Sequence, residues 1–358
     1  MYSNISSNLI THGIRQTGLP ISIEECNIKV CLISPSRLNQ KNKWVRGTLD
    51  GLLASYNLFD SGYEIVEDAS LADLIIFTDS GHLPHGLTIL LHPIFRKFKY
   101  KCFVYDENDF ANNWYRGINV SGCKSQSSHK LTCGGAYVRE ILVGCGPLPF
   151  PEKEVRLFSF VGAAETHPVR EKLRDLYTDD GSFFDVPRSV TQTAFQTGCL
   201  TKIKELVNNM ENVCYSSLFV LCPRGVGASS MRLFEVMRMG RCPVIISDEW
   251  IEPYGPDWAS CSIRIPENQL NKIPYILNLK RPLAQVMGEK ARIEWEDWFA
   301  PNRHFQTTVK ACLFLHEIPN SKAFSISRLV YTLFSLNGLR IFLRYLRNYL
   351  LNFSNSTR

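Results

Sequence analysis

Residues Leu218–Trp258, LFVLCPRGVGASSMRLFEVMRMGRCPVIISDEWIEPYGPDW, decide the fold. The stretch reads as a continuous apolar strand, a glycine loop, a helix over Ser230–Met239, a tight turn and a second apolar strand. Strands that are apolar without alternation belong to parallel sheets covered on both faces. The same rhythm extends outward. In the second half, strands are expected at Leu157–Val161, Phe183–Val186 and Pro243–Ser247, with helices at Pro168–Leu176, Thr201–Asn209, Glu267–Leu279 and Leu283–Phe299. In the first half, Ile28–Ile33, Ala72–Thr78 and Lys101–Tyr105 read as strands and Lys43–Ser55 as a helix. Gly144–Pro151 (GCGPLPFP) reads as a link. The expected fold class is therefore α/β: two Rossmann-like domains facing across a cleft, with a C-terminal amphipathic helical tail. The expected division is a flexible N-terminus over 1–27, a first Rossmann-like domain over 28–150, a second over 151–317 and a basic tail over 318–358.

The loop at the centre carries the chemistry. Gly225 and Gly227 let a ligand approach the backbone. Ser229 or Ser230 suits the N-cap, and the free N–H groups of a helix start attract an anion. Arg224 before the loop and Arg232 in the first turn supply the forked donors that suit a diphosphate. Glu235, a turn further on, is placed to accept from ribose hydroxyls. A P-loop is excluded because no Lys follows Gly227, and a dinucleotide fingerprint because its third glycine is missing. A Gly-capped helix with solvated arginines is the plain alternative; the joint presence of Arg224, Ser229, Arg232 and Glu235 weighs against it.

Net charge is +6, but six cations, Lys322, Arg328, Arg340, Arg344, Arg347 and Arg358, follow Glu317 with no acid among them. The rest of the chain is balanced, so a nucleic-acid partner is not expected. The tail pattern, apolar at 342, 343, 346, 350 and 353 against Arg340, Arg344 and Arg347, suits an anionic membrane surface through 323–353, or packing back on the body. Twelve cysteines occur without a C-x-x-C, and several fall in apolar runs, so buried free thiols and a reducing compartment are expected. Met1–Pro20 lacks the apolar run of a signal peptide.

The run Pro223-Arg224-Gly225, Ser230, Arg232, Glu235, Gly240, Pro243-Val244 and Ser247-Asp248 strongly resembles the donor half of exostosin-like glycosyltransferases. Phe160-Val161-Gly162 followed by Arg170 resembles the opening of that domain. Ala72-Asp73-Leu74 resembles a strand of its first domain. The resemblance implies a GT-B architecture and inverting transfer from a nucleotide sugar, a UDP-sugar first among them, with no metal or other cofactor required. It also implies that Glu235 holds the ribose, that Arg224, Ser230 and Arg232 hold the diphosphate, and that Gly162 and Arg170 face the donor. Gly225, Ser229 and Asp248 complete the expected donor set. The acceptor would be a glycan or glycolipid in polysaccharide synthesis. Eukaryotic members carry a membrane anchor and luminal disulfides; without either sign, the expectation is a cytoplasmic relative, peripheral on the inner membrane face. Two alternatives stand: a non-catalytic partner subunit of another transferase, and a fucosyltransferase-like enzyme using a guanosine donor.

Inverting transfer needs a base for the acceptor hydroxyl, expected at a strand end of the first domain. Asp79 follows one strand; Asp106, Glu107 and Asp109 follow another. Asp79 and Asp106 are the candidates. His82 and His85 have H-x-x-H spacing, but Pro84 and the lack of a third ligand argue for loop histidines rather than a metal site. Trp295, Trp298 and Phe299 read as core.

Overall fold

The computed structural model describes residues 28–35, 47–60, 62–78, 85–109, 113–138, 146–151, 156–178, 182–319 and 322–334. In the first domain the strands are β1 (Ile28–Ile33), β2 (Tyr63–Ile65), β3 (Leu74–Phe77), β4 (Cys102–Asp106), β5 (Gly117–Asn119) and β6 (Thr132–Gly134). They form one sheet in the order β2-β1-β3-β4-β5-β6, every pairing parallel. Helix α1 (Thr48–Leu58) covers one face; the short α2 (Thr88–Leu91) and α3 (Pro93–Phe98) cover the other. All four residues of β3 and all five of β4 are buried, as unbroken apolar runs require in a sheet covered twice.

The second domain repeats the plan. Its elements are β7 (Arg156–Gly162), α4 (Pro168–Tyr177), β8 (Phe183–Asp185), α5 (Arg188–Thr197), α6 (Leu200–Tyr215), β9 (Ser217–Pro223), α7 (Met231–Arg238) and β10 (Cys242–Ile246). They continue through α8 (Trp258–Cys261), β11 (Ile263–Arg264), α9 (Ile273–Lys280) and α10 (Ala284–Trp298). The strand order is β11-β10-β9-β7-β8, again parallel throughout. One face packs under α6, α7 and α10 with Trp295 and Phe299 in its core. The other packs under α4 and α9. Gly240 ends α7 at φ 74, the left-handed turn that returns the chain into β10. The doubly wound, two-domain plan read from the sequence is the one the chain adopts.

One helix crosses over. The expected second domain ran to residue 317, but α11 (His304–Glu317) packs in the first domain. Phe305, Val309, Cys312 and Leu315 join Val30, Leu52, Phe103 and Ile118 in one core. The Phe305 N–H donates to Ser55 Oγ at 2.9 Å. The reason is area: α1 is too short to cover that face of a six-stranded sheet, and the apolar stripe of α11 fills the rest. Helix α12 (Ile326–Phe334) then lies on the opposite face, where Leu329 and Leu333 pack.

The ten cysteines among the described residues are all free thiols. Asp79, His82 and the tail beyond 334 lie outside the described residues, as does 1–27. Among the described residues no group of His, Cys, Asp and Glu is assembled for a metal.

Candidate functional site

In the second sheet the strand order reverses between β7 and β9, so the loops after these two strands diverge and open a crevice, the usual ligand position in doubly wound sheets. Gly162 ends β7, and residues 224–230 form the loop after β9. Ser230 is the N-cap of α7, extended at φ −138 and ψ 125, with no side-chain capping bond. Its hydroxyl is buried, and it has no hydrogen-bond partner among the described residues. Arg224 stands at the same mouth. Its Nε is buried without a partner among the described residues, while another of its nitrogens is 3.9 Å from the Glu267 carboxylate.

Arg170 takes a different part from the one expected. Its Nε donates to Arg224 O at 2.9 Å, its Nη2 to Pro223 O at 3.0 Å and its Nη1 to Ala163 O at 3.4 Å. The guanidinium also lies 5.2 Å from the Phe160 ring. It is a clamp across the ends of β7 and β9. Burial, with Arg232 nearby, brings its pKa down to about 10. Gly225 lies against this clamp: a Cβ there would come within 3.3 Å of Arg170 Nη2.

Arg232 and Glu235, assigned separate duties from the sequence, are paired with each other at 2.8 Å. Arg232 Nε also donates to Val161 O, so the pair ties α7 to the end of β7. The Glu235 side chain keeps about a third of its surface, 32%, exposed. Asp248, expected in the donor set, is exposed and turned elsewhere. Its carboxylate accepts from Glu267 N–H, while its own N–H donates to Glu267 Oε1 at 3.0 Å. The two acids brace the loops after β10 and β11 against each other, and the Glu267 carboxylate lies 3.9 Å from Arg224.

His167 was not singled out from the sequence, and Ser247 was named there without a role. Buried Ser247 Oγ donates to Ala228 O at 2.8 Å, pinning the glycine loop to the end of β10. His167 caps α4, its Nδ1 accepting from Val169 N–H ahead of Pro168. Burial, then Arg224 and Arg170, push its imidazole down to about 4, so it is neutral at pH 7. A His-Pro pair ahead of an amphipathic run was the legible signal for the cap, but not for its cationic neighbours.

The first domain closes the site. The Ala228 N–H meets Ser121 O at 3.4 Å, and a Cβ on Gly227 would lie 2.6 Å from Ser121 Cβ and 3.1 Å from Asp109 O. Gly227 is thus required by the approach of the facing domain. The Tyr137 ring packs edge-on against Phe234 of α7, and its hydroxyl bonds Ser121 Oγ at 2.9 Å. Asp109 reaches both Tyr137 and Arg170 electrostatically. Asp106 does not share this position. It is 1% exposed and its Oδ1 accepts from Asn108 N–H at 2.9 Å and from Asn108 Nδ2, which makes it the pivot of the turn after β4. Glu107 is likewise buried, accepting from Thr48 Oγ1 and Val138 N–H.

Residues 147–279 match the model of the exostosin GT47 domain. The match spans β7 through almost all of α9 and contains every residue of the crevice described above that lies in the second domain. An exostosin-1 homolog of Caenorhabditis elegans is 39% identical over 80 residues, 22% of this chain and 21% of that protein. Exostosin-2 of Bos taurus is 31% identical over 90 residues, 24% of this chain and 12% of that protein. The chain therefore corresponds to a fifth or less of the length of these relatives. Among solved structures, Anabaena Alr3699/HepE in complex with UDP aligns at a TM-score of 0.40 and 10% identity, over 79% of this chain and all of that one. MurG of Acinetobacter baumannii aligns at 0.35 and 12%, over 79% and 98%.

Proposed function

We propose that this chain is an inverting glycosyltransferase that moves a sugar from a nucleoside diphosphate, a UDP-sugar in the first instance, to a hydroxyl of a glycan or glycolipid. One observation carries the reading. Buried polar groups in folded proteins are nearly always satisfied. Yet among the described residues the Ser230 hydroxyl and Arg224 Nε are buried without partners, beside a helix start that no side chain caps. Such donors, converging on a glycine loop, fit an anionic ligand such as a diphosphate.

The chemistry follows from that placement. The acceptor oxygen forms its bond to the anomeric carbon as the bond to the diphosphate oxygen breaks, and the proton goes to a carboxylate of the first domain. Charge grows on the departing diphosphate, where the start of α7 and Arg224 would meet it; one such preorganised donor is typically worth ~10²–10³ in rate. Glu235, held by Arg232, would take the ribose hydroxyls. Arg170 acts as a positioning residue that fixes the Pro223 and Arg224 carbonyls. For the base we propose Asp109 in place of Asp106, because Asp106 is consumed by its turn while Asp109 stands at the glycine loop.

The test is nucleotide release by the purified protein against a panel of UDP- and GDP-sugars, with and without glycan acceptors. Release of UDP or GDP that Arg224→Ala abolishes supports the reading. No release from any donor with any acceptor would sink it and favour a partner subunit without catalysis.

A further inference from the structure

Helix α12 carries one broad apolar face, and only part of it is covered. Leu329 and Leu333 pack inward on the cluster that holds Phe95, Trp114 and Tyr115. The outer side carries Ile326, Val330 and Phe334 in one stripe at four-residue spacing, with Tyr331 beside it. Phe334 is 87% exposed and Ile326 70%. Large apolar side chains gathered on an open surface mark a contact site.

The neighbouring elements add to this face. Tyr100, 60% exposed, lies at the foot of α12, because Arg116 donates from Nη2 to Tyr100 O and from its backbone N–H to Ala323 O. Helix α2, which ends at the exposed Leu91, is tied to the same place. Tyr115 donates to Gly86 O, and its ring lies 5.8 Å from Phe324. Arg96, Lys97, Lys99 and Lys322 are exposed around these residues. Residues 80–105 and 318–358 contain no acid at all; Asp68, which acts on Lys97, comes from outside both stretches.

We propose that α12, with Leu91, Tyr100 and the cations of α3 and Lys322, forms a docking surface for an anionic lipid bilayer. Aromatic and aliphatic side chains ringed by Lys and Arg are suited to the boundary between acyl chains and anionic headgroups. A second copy of this face would bring like charges together, which disfavours self-association. The surface rests on the membrane without crossing it; among the described residues no helix is long and apolar enough to span.

The experiment is co-sedimentation of the full chain with phosphatidylcholine vesicles, with and without phosphatidylglycerol, at low and high NaCl. The protein should pellet with the phosphatidylglycerol vesicles, and salt should weaken this. The triple variant V330S/Y331S/F334S should reduce the bound fraction at least tenfold, and K99E/K322E should erase the preference for anionic lipid. Both alter exposed side chains, so circular-dichroism melting should match the parent. Wild-type protein left in the supernatant overturns the proposal, as does wild-type binding by both variants. A dimer on gel filtration that the triple variant dissolves would assign the face to a second copy and overturn it too.

Discussion

Replacing Arg170 with alanine removes the donor from three backbone carbonyls at the ends of β7 and β9. The two bonds at 2.9 and 3.0 Å matter most, and a hydrogen bond from a charged donor contributes ~1.5–3 kcal/mol. Water entering the space left by the side chain would recover part of this, so a net loss of about 3 kcal/mol is expected. For a urea slope of ~2 kcal/mol per molar, the unfolding midpoint falls by about 1.5 M. Trp250, Trp258 and Trp295 lie in or against the affected domain, so tryptophan fluorescence reports the transition. Arg224→Ala is the control. Its Nε has no acceptor among the described residues and its ion pair spans 3.9 Å, so it should cost no more than ~1 kcal/mol while turnover falls ~10²-fold or more. The two arginines are thereby separated into a positioning residue and a binding residue. An Arg170→Ala protein that unfolds at the parental midpoint, or an Arg224→Ala protein equally destabilised, would refute the assignment.

Gly227→Ala should force the domains apart, since a Cβ meets Ser121 at 2.6 Å; overpacking of this kind costs ~1–3 kcal/mol. Small-angle scattering should show a larger radius of gyration, and an unchanged radius with full turnover would contradict the contact. Asp109→Asn should lower turnover ~10²–10⁴-fold while leaving donor affinity intact, measured by nucleotide release against calorimetric donor binding. Parental turnover in that variant would remove Asp109 from the mechanism. His304 is 5% exposed, and burial holds its imidazole down to about 4. The unfolded chain, with an ordinary value near ~6.5, binds a proton that the native state refuses between those limits. Stability should therefore fall by about 2–3 kcal/mol as pH drops from ~6.5 to ~4, and His304→Gln should flatten the slope in urea titrations across that range.

The donor half was the most legible part of the chain. Ser217–Pro223 and Cys242–Ile246 are buried at every position, so their apolar runs admit one reading, and the glycine loop between them announces its own geometry. The strands Tyr63–Ile65, Gly117–Asn119 and Thr132–Gly134 escaped notice because three residues carry no period, and glycine disguises the last two. Asp248 and Asp106 were misplaced for a related reason. A carboxylate at a strand end looks the same in sequence whether it faces a ligand or braces its own turn.

Local pattern therefore determined the longer strands and most helices of the second domain, that two doubly wound sheets result, and that one helix start lies open behind a glycine loop. These follow from side-chain period and burial within a dozen residues. Only the tertiary structure decided that Ser121 and Asp109 meet Gly227, that Arg232 reaches the Val161 carbonyl, and that α11 returns to the first domain. Such contacts join residues as much as 250 positions apart. They are chosen by which faces remain uncovered once the sheets have formed, and no single segment of the chain contains that information.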